Sequence, residues 1–297
     1  MVGSAVYKLL QKSKKYKILR CEKKKINLLD YKKLDNWFFK NKPDIVINCA
    51  GKVGGILDNS LYQSDYLYEN ATIGLNLVNL SVKYKVKKLI NLGSACIYPK
   101  TNNQPIKEDY LLSSNLEKTN EGYALAKILV LKYCQYLKEK NNYNFISLQP
   151  ANLYGDGDNF DLKSSHVIPA LVKKFVLAKR RNIKQVEIWG SGKVKREFLN
   201  VDDLASAIKF CINKNIRHPY LNIGSGEHIS IKNLAELIKK IVGYNGKLFF
   251  NKKYPDGVKL RKLDSKKIKR LGWSPKILLK NGLIDYCKNF EKNYFNI

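Results

Sequence analysis

Short, largely apolar runs alternate with longer helical stretches through the first half of this chain, and no other feature limits its fold as much. The runs at 44–49, 88–92 and 145–149 have the composition of strands that are buried on both faces. The stretches at 61–84 and 123–139 carry apolar residues at helical spacing. Buried strands separated by helices predict a parallel sheet with helices on both of its faces.

The second half of the chain is less regular, and no linker rich in Pro, Gly or Ser divides it from the first. We therefore predict an α/β fold: a Rossmann-like, doubly wound sheet over 1–160 to which 196–225 returns, and a smaller α+β lobe formed by 161–195 and 226–297. The further predicted helices are 3–12, 29–40, 165–178, 202–211, 231–242 and 278–290, and the further predicted strands are 16–19, 186–189 and 220–223.

Composition excludes several classes of protein. Lysine and arginine outnumber the acidic residues by 55 to 25, but they are spread over every segment, so we expect no nucleic-acid partner. No apolar run approaches the roughly 18 residues of a membrane-spanning helix, so we expect no membrane contact. The six cysteines never fall at CxxC spacing, which predicts reduced thiols in a cytoplasmic protein and no metal site.

A polar segment, NLGSACIY, follows the predicted strand at 88–92 and should lie at the carboxyl edge of the sheet, where ligands bind in such folds. Some 29 residues later, Tyr123 and Lys127 share one face of a helix. An ammonium beside a phenol is expected to lower the phenol's pKa, so that Tyr123 can exchange a proton with a carbonyl oxygen near neutral pH. Two other Tyr–Lys pairs have the same spacing, but no strand-end serine precedes them.

Ser94, Tyr123 and Lys127 resemble the Ser-Tyr-Lys set of the extended short-chain dehydrogenase/reductases. Within that superfamily the chain resembles the GDP-L-fucose synthase family, and the resembling segments run almost from end to end. They are AGKVGGI (50–56), NLGSACIYPK (91–100), TNEGYALAK (119–127), PANLYG (150–155), NF (159–160), SHVIPALVKKF (165–175), WGSGKVKREFLNVDD (189–203) and LGW (271–273).

The resemblance implies NADP(H)-dependent 3,5-epimerisation and 4-reduction of GDP-4-keto-6-deoxy-D-mannose to GDP-L-fucose. Tyr123 would protonate the oxygen on carbon 4, Lys127 would tune that phenol, and Ser94 would hold the same oxygen. Cys96 and His166 would remove and return protons at carbons 3 and 5, and which of them is the base stays open. A thiol with a pKa of about 8.5 and an imidazole with one of about 6.5 suit this exchange near pH 7.

The resemblance also implies the binding residues and the assembly. The expected cofactor-binding residues are Gly3, Lys23, Ala50, Gly51, Lys52, Leu92, Gly93, Ser94, Ala95, Lys127, Pro150, Ala151, Asn152, Leu153 and His166. Lys23 would meet the 2′-phosphate of NADP(H). The expected residues for the GDP-sugar substrate are Lys174, Trp189, Arg196 and Asp264. A homodimer is expected, through a four-helix contact that includes 61–84 and 123–139.

The family places a strand and a G-x-x-G turn ahead of the point where this sequence begins, and Gly3 stands where the last glycine of the turn would be. We expect a chain without that strand and most of that loop to bind NADPH poorly and to fold marginally, because the strand is central and the glycines admit the pyrophosphate. A start codon assigned at an internal methionine would produce this N-terminus, and it predicts apolar, glycine-rich codons in frame upstream.

Three other interpretations stay open. Colitose-type enzymes of the same superfamily could keep all the residues named above. A nucleotide-sugar 4-epimerase needs no acid–base pair at carbons 3 and 5, so Cys96 and His166 count against it. A non-catalytic protein that has lost its cofactor loop is the third alternative, and the intact Ser94, Tyr123 and Lys127 count against that one.

Overall fold

The structure, a computed structural model, describes residues 1–22, 25–100, 102–254 and 256–295. Its helices are α1 (Val2–Gln11), α2 (Tyr31–Asn41), α3 (Ile56–Leu61), α4 (Gln63–Lys83), α5 (Glu121–Asn141), α6 (Val167–Arg180), α7 (Val201–Asn213), α8 (Ile231–Val242), α9 (Lys266–Arg270) and α10 (Leu279–Phe295). Its strands are β1 (Ile45–Asn48), β2 (Lys88–Leu92), β3 (Phe145–Pro150), β4 (Asn152–Tyr154), β5 (Gln185–Trp189), β6 (Lys195–Asn200), β7 (Tyr220–Ile223), β8 (His228–Ser230), β9 (Lys247–Asn251) and β10 (Leu260–Arg261).

The main sheet is parallel and has the order β1-β2-β3-β7. Side chains of its strands alternate between two cores, as the pleat requires. Ile90 and Leu92 of β2 pack with α1 and α7 on one face, whereas Leu89 packs with α4 and α5 on the other. This arrangement confirms the predicted sheet with helices on both faces.

The smaller sheets lie in the second half of the chain. Strands β4, β6 and β10 pair in parallel, β8 pairs with β6 in antiparallel fashion, and β5 pairs in parallel with β9. Helices α6, α8 and α10 share a separate apolar core with residues of β5 and β6. The domain boundaries given above stay a prediction. Across the described ranges, no helix is both long enough and apolar enough to cross a membrane.

Two predicted elements differ from the structure. The strand at 16–19 is wrong: these residues belong to no strand, and Tyr16 is instead held by its hydroxyl, which donates to Asn213 Oδ1 at 2.9 Å. An apolar run forms a strand only where a neighbouring strand offers backbone partners. The helix predicted at 61–84 is found as α4 but begins two residues later, because Tyr62, with φ −120° and ψ 39°, separates it from α3, which ends at Leu61.

The carboxyl ends of the main strands position the polar residues of the site. Directly after β2, Gly93 passes so close to Gln149 of β3 that an added Cβ would lie 1.8 Å from Gln149 Oε1. The same Oε1 accepts a hydrogen bond from the Ser94 backbone at 2.9 Å. Glycine at 93 therefore lets the chain turn over the end of β3 and fixes where Ser94 emerges.

One buried lysine ties the sheet to α7. Lys88, at 8% exposure, donates from Nζ to the carbonyls of Cys211 (2.9 Å), Ile212 (2.9 Å) and Lys214 (2.8 Å). These carbonyls close the C-terminal end of α7, where backbone acceptors lack helical partners and a positive charge is favourable. α7 has no basic residue of its own in its last turn.

We predict that Lys88→Met lowers the free energy of unfolding by about 3 kcal/mol, because buried carbonyls lose a charged donor. Lys87→Met is the matched control: Lys87 is 79% exposed and pairs only with Asp44, itself 70% exposed. Its effect should stay within about 0.5 kcal/mol. Urea denaturation of both variants measures the difference, and equal losses would contradict the assigned role of Lys88.

Candidate active site

The turn after β2 carries two of the predicted catalytic residues. Ser94 precedes a short 3-10 turn, Ala95–Ile97, and its Oγ accepts a hydrogen bond from the Cys96 backbone at 3.2 Å. Both Ser94 and Cys96 are half-buried. The hydroxyl and the thiol are therefore held on one turn at the carboxyl edge of the sheet.

Tyr123 and Lys127 meet this turn from the first turns of α5. The Tyr123 phenol lies beside this turn, close enough to Ser94 and Cys96 for both side chains to act on its pKa. Lys127 donates from Nζ to the Leu92 carbonyl at 3.1 Å, and the same Nζ is 5.6 Å from the centroid of the Tyr123 ring. The structure thus brings Ser94, Cys96, Tyr123 and Lys127 together.

The expected lowering of the phenol's pKa is wrong for this structure. Burial raises the pKa of Tyr123 above its usual range, the Cys96 charge adds to that rise, and the Ser94 side chain only partly opposes it. Burial also lowers the pKa of Lys127 to about 8. Both groups are less charged than in water, because removal from solvent penalises phenolate and ammonium alike.

Gly51 lies close to two buried polar groups. A Cβ added at Gly51 would lie 2.6 Å from Asn70 Oδ1 and 3.3 Å from Lys127 Nζ. Asn70 is 3% exposed, and its Oδ1 has no hydrogen-bond partner among the described residues. An ammonium donor and an unpaired amide acceptor beside one glycine are the kinds of group that bind a ribose hydroxyl, so the residues here fit a nicotinamide dinucleotide.

Other predicted cofactor residues lie along the same edge. Gly3 is in the first turn of α1 close to Cys49, and the Ala50 backbone donates to Asn48 Oδ1 at 3.1 Å. Lys52 is already engaged, because its Nζ contacts Glu69 at 2.8 Å and Asp65 at 3.3 Å. Lys23 lies outside the described residues.

The predicted stretch from Pro150 to Leu153 also lies at this edge. Pro150 ends β3, and Ala151 donates from its backbone to the Ile223 carbonyl at 2.9 Å, at the end of β7. Asn152 begins β4, and its side chain donates to the Glu197 carbonyl at 2.9 Å. The stretch therefore links the main sheet to the second one.

Among the described residues, no recorded contact joins His166 directly to the Tyr123 phenol. It is the N-cap of α6 and is exposed, and its side chain makes no capping hydrogen bond. The residue before it, Ser165, meets Gly55 closely through its carbonyl, and Gly55 donates to the Ser164 carbonyl at 2.8 Å. Surrounding protein lowers the pKa of His166, and the nearby Asp158 carboxylate opposes that effect.

The residues expected to bind the substrate lie in three places. Trp189 stacks on Tyr254, with ring centroids 4.2 Å apart and an interplanar angle of 12°. Lys174 Nζ is 5.2 Å from the Trp189 ring and donates to the Glu187 carbonyl at 2.9 Å. Trp189 is 38% exposed, so an aromatic surface and a cation meet at the solvent boundary.

Arg196 forms the second group. Its guanidinium donates to the carbonyls of Val258 at 2.5 Å and Lys195 at 2.9 Å, and it lies within electrostatic range of Cys96. Burial lowers the pKa of Arg196 to about 10. Asp264 is placed elsewhere: its carboxylate accepts from the Lys266 backbone at 2.9 Å, next to α9, and no described hydrogen bond or ion pair joins it to the other three.

Sequence reasoning missed Gln149, Asn70 and Tyr254. Gln149 is a fully buried polar residue in an otherwise apolar strand, which is a signal for a structural hydrogen bond. Asn70 is a polar residue on the buried face of α4, and the helical spacing of that face is a signal by which it could have been identified. Tyr254 lies in an irregular segment where no spacing predicts a partner.

Comparison with known proteins agrees with this geometry. A model of the NAD dependent epimerase/dehydratase family matches residues 1–224. GDP-L-fucose synthase 1 of Arabidopsis thaliana is 41% identical over 296 residues, which cover 100% of this chain and 92% of that protein. The GDP-L-colitose synthase of Yersinia pseudotuberculosis is 39% identical, covering 95% of this chain and 93% of that protein.

A solved structure is similar over nearly the same length. MlghC, the GDP-mannoheptose C4 reductase from Campylobacter jejuni with NADP bound, matches with a TM-score of 0.87 and 32% identity, covering 98% of this chain and 95% of the other. These similarities confirm the resemblance found in the sequence. The chain belongs to the NAD dependent epimerase/dehydratase family and, within it, to the GDP-L-fucose synthase group.

Proposed function

We propose that this protein converts GDP-4-keto-6-deoxy-D-mannose into GDP-L-fucose by 3,5-epimerisation and 4-reduction with NADPH. The observation that carries the proposal is the joint placement of Tyr123, Ser94 and Cys96 at one strand end, with Lys127 behind the phenol. A reduction alone needs the phenol and the ammonium. A thiol at the same ketone adds a group that can move protons on the neighbouring carbons.

The reduction needs a proton donor at the ketone oxygen. Tyr123 is suited to that role because its raised pKa keeps the phenol protonated near neutral pH. Ser94 would donate a second hydrogen bond to the same oxygen, and the Lys127 ammonium would stabilise the negative charge that develops there. NADPH, when bound, supplies the hydride for carbon 4, and Asn70 and Lys127 beside Gly51 would hold its ribose.

Epimerisation uses the same ketone. Loss of a proton from carbon 3 or 5 places negative charge on the ketone oxygen, where Tyr123 and Ser94 would stabilise it. Cys96 and His166 would exchange the protons from opposite faces of the ring. The assignment of the thiol to one face and of the imidazole to the other is part of the proposal.

The nucleotide would occupy the second lobe. The exposed face of the Trp189–Tyr254 pair suits a guanine ring, and Lys174 and Arg196 suit the diphosphate, the first as a point charge and the second as a fork. The name of the similar colitose synthase gives a second GDP-sugar as product, and the product of the assay below distinguishes the two.

We predict that, with GDP-4-keto-6-deoxy-D-mannose as substrate, Tyr123→Phe lowers kcat/KM for NADPH oxidation about 10²–10⁴-fold relative to the unmodified protein, because the proton donor is lost. Tyr136→Phe is the matched control: it lies on the same helix, four residues before Lys140, and is 58% exposed. It should keep its activity. NADPH absorbance gives the rate, and NMR of the sugar product identifies GDP-L-fucose.

Three other results would contradict parts of the proposed function. An unepimerised 4-reduced sugar from the unmodified protein would make it a reductase only. No turnover, with GDP bound, would favour a non-catalytic protein. Equal losses in Tyr123→Phe and Tyr136→Phe would remove the phenol from the mechanism.

We predict that kcat/KM falls about tenfold per pH unit above pH 8. The Lys127 ammonium, with its pKa lowered to about 8, is present below that pH and is lost above it, whereas the raised pKa of Tyr123 keeps the phenol protonated throughout. Lys127→Met has no ammonium to lose, so its lower kcat/KM should stay flat between about pH 7 and 9. The same descending limb in this variant would show that another group titrates.

The protein is proposed to be cytoplasmic and to form a homodimer. All six cysteines are free thiols, which is typical of a reducing compartment. Helices α4 and α5 pack side by side and leave large apolar side chains exposed, among them Leu67, Tyr68, Leu125 and Leu129. Exposed apolar groups on adjacent helices fit a four-helix contact between two copies.

Light scattering after gel filtration should give twice the chain mass of 34.2 kDa. We predict that Leu129→Glu, at a site 45% exposed, shifts the mass towards one chain, because a carboxylate would be buried in the contact. Ile183→Glu, at a site 44% exposed and remote from α4 and α5, should leave the mass unchanged. A monomeric unmodified protein would refute the dimer.

A further inference from the structure

A buried guanidinium joins the second lobe to the turn that carries Cys96. Arg261, on β10, is only 8% exposed, and its Nη1 donates to the Ala95 carbonyl at 3.2 Å. Ala95 lies between Ser94 and Cys96 and opens their 3-10 turn. A side chain that is far away in sequence therefore holds the backbone between the two groups.

The sheet register places Arg261 beside the residue proposed to bind the diphosphate. β10 pairs in parallel with β6 so that Arg261 and Arg196 are direct partners. The two guanidiniums feel each other's charge, and Cys96 lies within electrostatic range of Arg196. The proposed diphosphate site and the turn that carries the thiol are therefore bordered by the same two arginines, Arg196 and Arg261, which form a shared wall.

The charges of this wall have no paired carboxylate. Among the described residues, no ion pair includes Arg196 or Arg261. The Asp256 and Glu117 carboxylates act on Arg196 without forming an ion pair with it. In the same part of the chain, the Ala95 carbonyl is the one acceptor recorded for the Arg261 fork, which has several further N–H donors. A buried guanidinium without a paired carboxylate favours an anionic ligand, and a planar fork can hold a carbonyl and a phosphate oxygen together.

We propose that Arg261 is a positioning residue that couples binding of the substrate's diphosphate to placement of the Cys96 thiol. One part of its fork holds the Ala95 carbonyl, and the remaining donors bind the diphosphate beside Arg196. The anchored nucleotide then fixes the turn at the distance from the sugar that proton exchange needs. This inference rests on the proposed function, and it gives Arg261 no contact with the reacting carbons.

The test compares Arg261→Met, Arg261→Lys and Lys259→Met. Lys259 is exposed on the same segment, and its loss removes the same charge. GDP binding is measured by calorimetry, and products are analysed by NMR after turnover in deuterated water. In Arg261→Met we expect GDP affinity to fall roughly tenfold. We also expect the share of sugar that is reduced without full epimerisation to rise several-fold. Lys259→Met should match the unmodified protein in both.

Arg261→Lys separates the two parts of the role. A single ammonium restores most of the GDP affinity but cannot hold the carbonyl and the diphosphate as a fork does, so the product mixture should stay shifted. If Arg261→Met unfolds at a low temperature, Arg261→Lys still tests the proposal, because it keeps a cation in the buried position.

An unchanged product mixture in both Arg261 variants, with only KM raised, would overturn the positioning role and leave an anion site. Unchanged GDP affinity in Arg261→Met would overturn the coupling. Failure of the unmodified protein to turn over the substrate is a different result, since it refutes the proposed reaction while the GDP measurements still test the wall.

Discussion

The bond from the Lys127 ammonium to the Leu92 carbonyl is the contact on which the rest of the site depends. It fixes α5 against the last residue of β2, and so it sets the phenol one helical turn away over the turn with Ser94 and Cys96. The position of β2 is itself determined by neighbours on both sides, β1 and β3. A helix and a strand that are separate in sequence are joined at one buried charge, and both the phenol and the thiol take their places from it.

Burial changes the pKa of both titratable groups at this contact. In water the ammonium would be a stable charge and the phenol an acid of ordinary strength. In the cleft, removal from solvent lowers the pKa of Lys127 and raises that of Tyr123, so both groups are drawn towards their neutral forms. A ketone oxygen that gains negative charge would favour the charged form of Lys127, because the ammonium stabilises it. The same oxygen could take the proton of the phenol. The environment that is costly for the free protein favours the transition state.

Much of the fold followed from sequence because the main strands are buried on both faces and read as apolar runs. Lys88 to Leu92 and Tyr220 to Ile223 were predicted at their observed bounds. Of the short strands in the second half of the chain, β5 was predicted at 186–189, whereas β6 was not predicted, since KREFLN mixes charged and apolar residues and pairs with segments far away in the chain. The residues at 16–19 show the converse, because an apolar run became no strand where no backbone partner was present. In the site, motif spacing located Ser94, Tyr123 and Lys127, whereas Gln149, Asn70 and Tyr254 depend on approaches between elements that no local pattern records.

The distribution of charge in the molecule separates surface from site. The chain has a formal net charge of +30, yet most of its lysines are solvated and contribute little specificity. Lys127 and Arg261 differ because they are buried, and Arg196 because it is half-buried, and none of the three shares an ion pair with a carboxylate in the described ranges. Desolvated cations of this kind destabilise the free protein and become favourable only when an anion arrives. A dianionic diphosphate at the wall would neutralise Arg196 and Arg261. A developing oxyanion at the phenol would neutralise Lys127, so substrate binding and catalysis would each compensate cations that the protein leaves unpaired. Selectivity for a nucleotide-linked ketone over a free sugar then follows from charge that the fold leaves uncompensated.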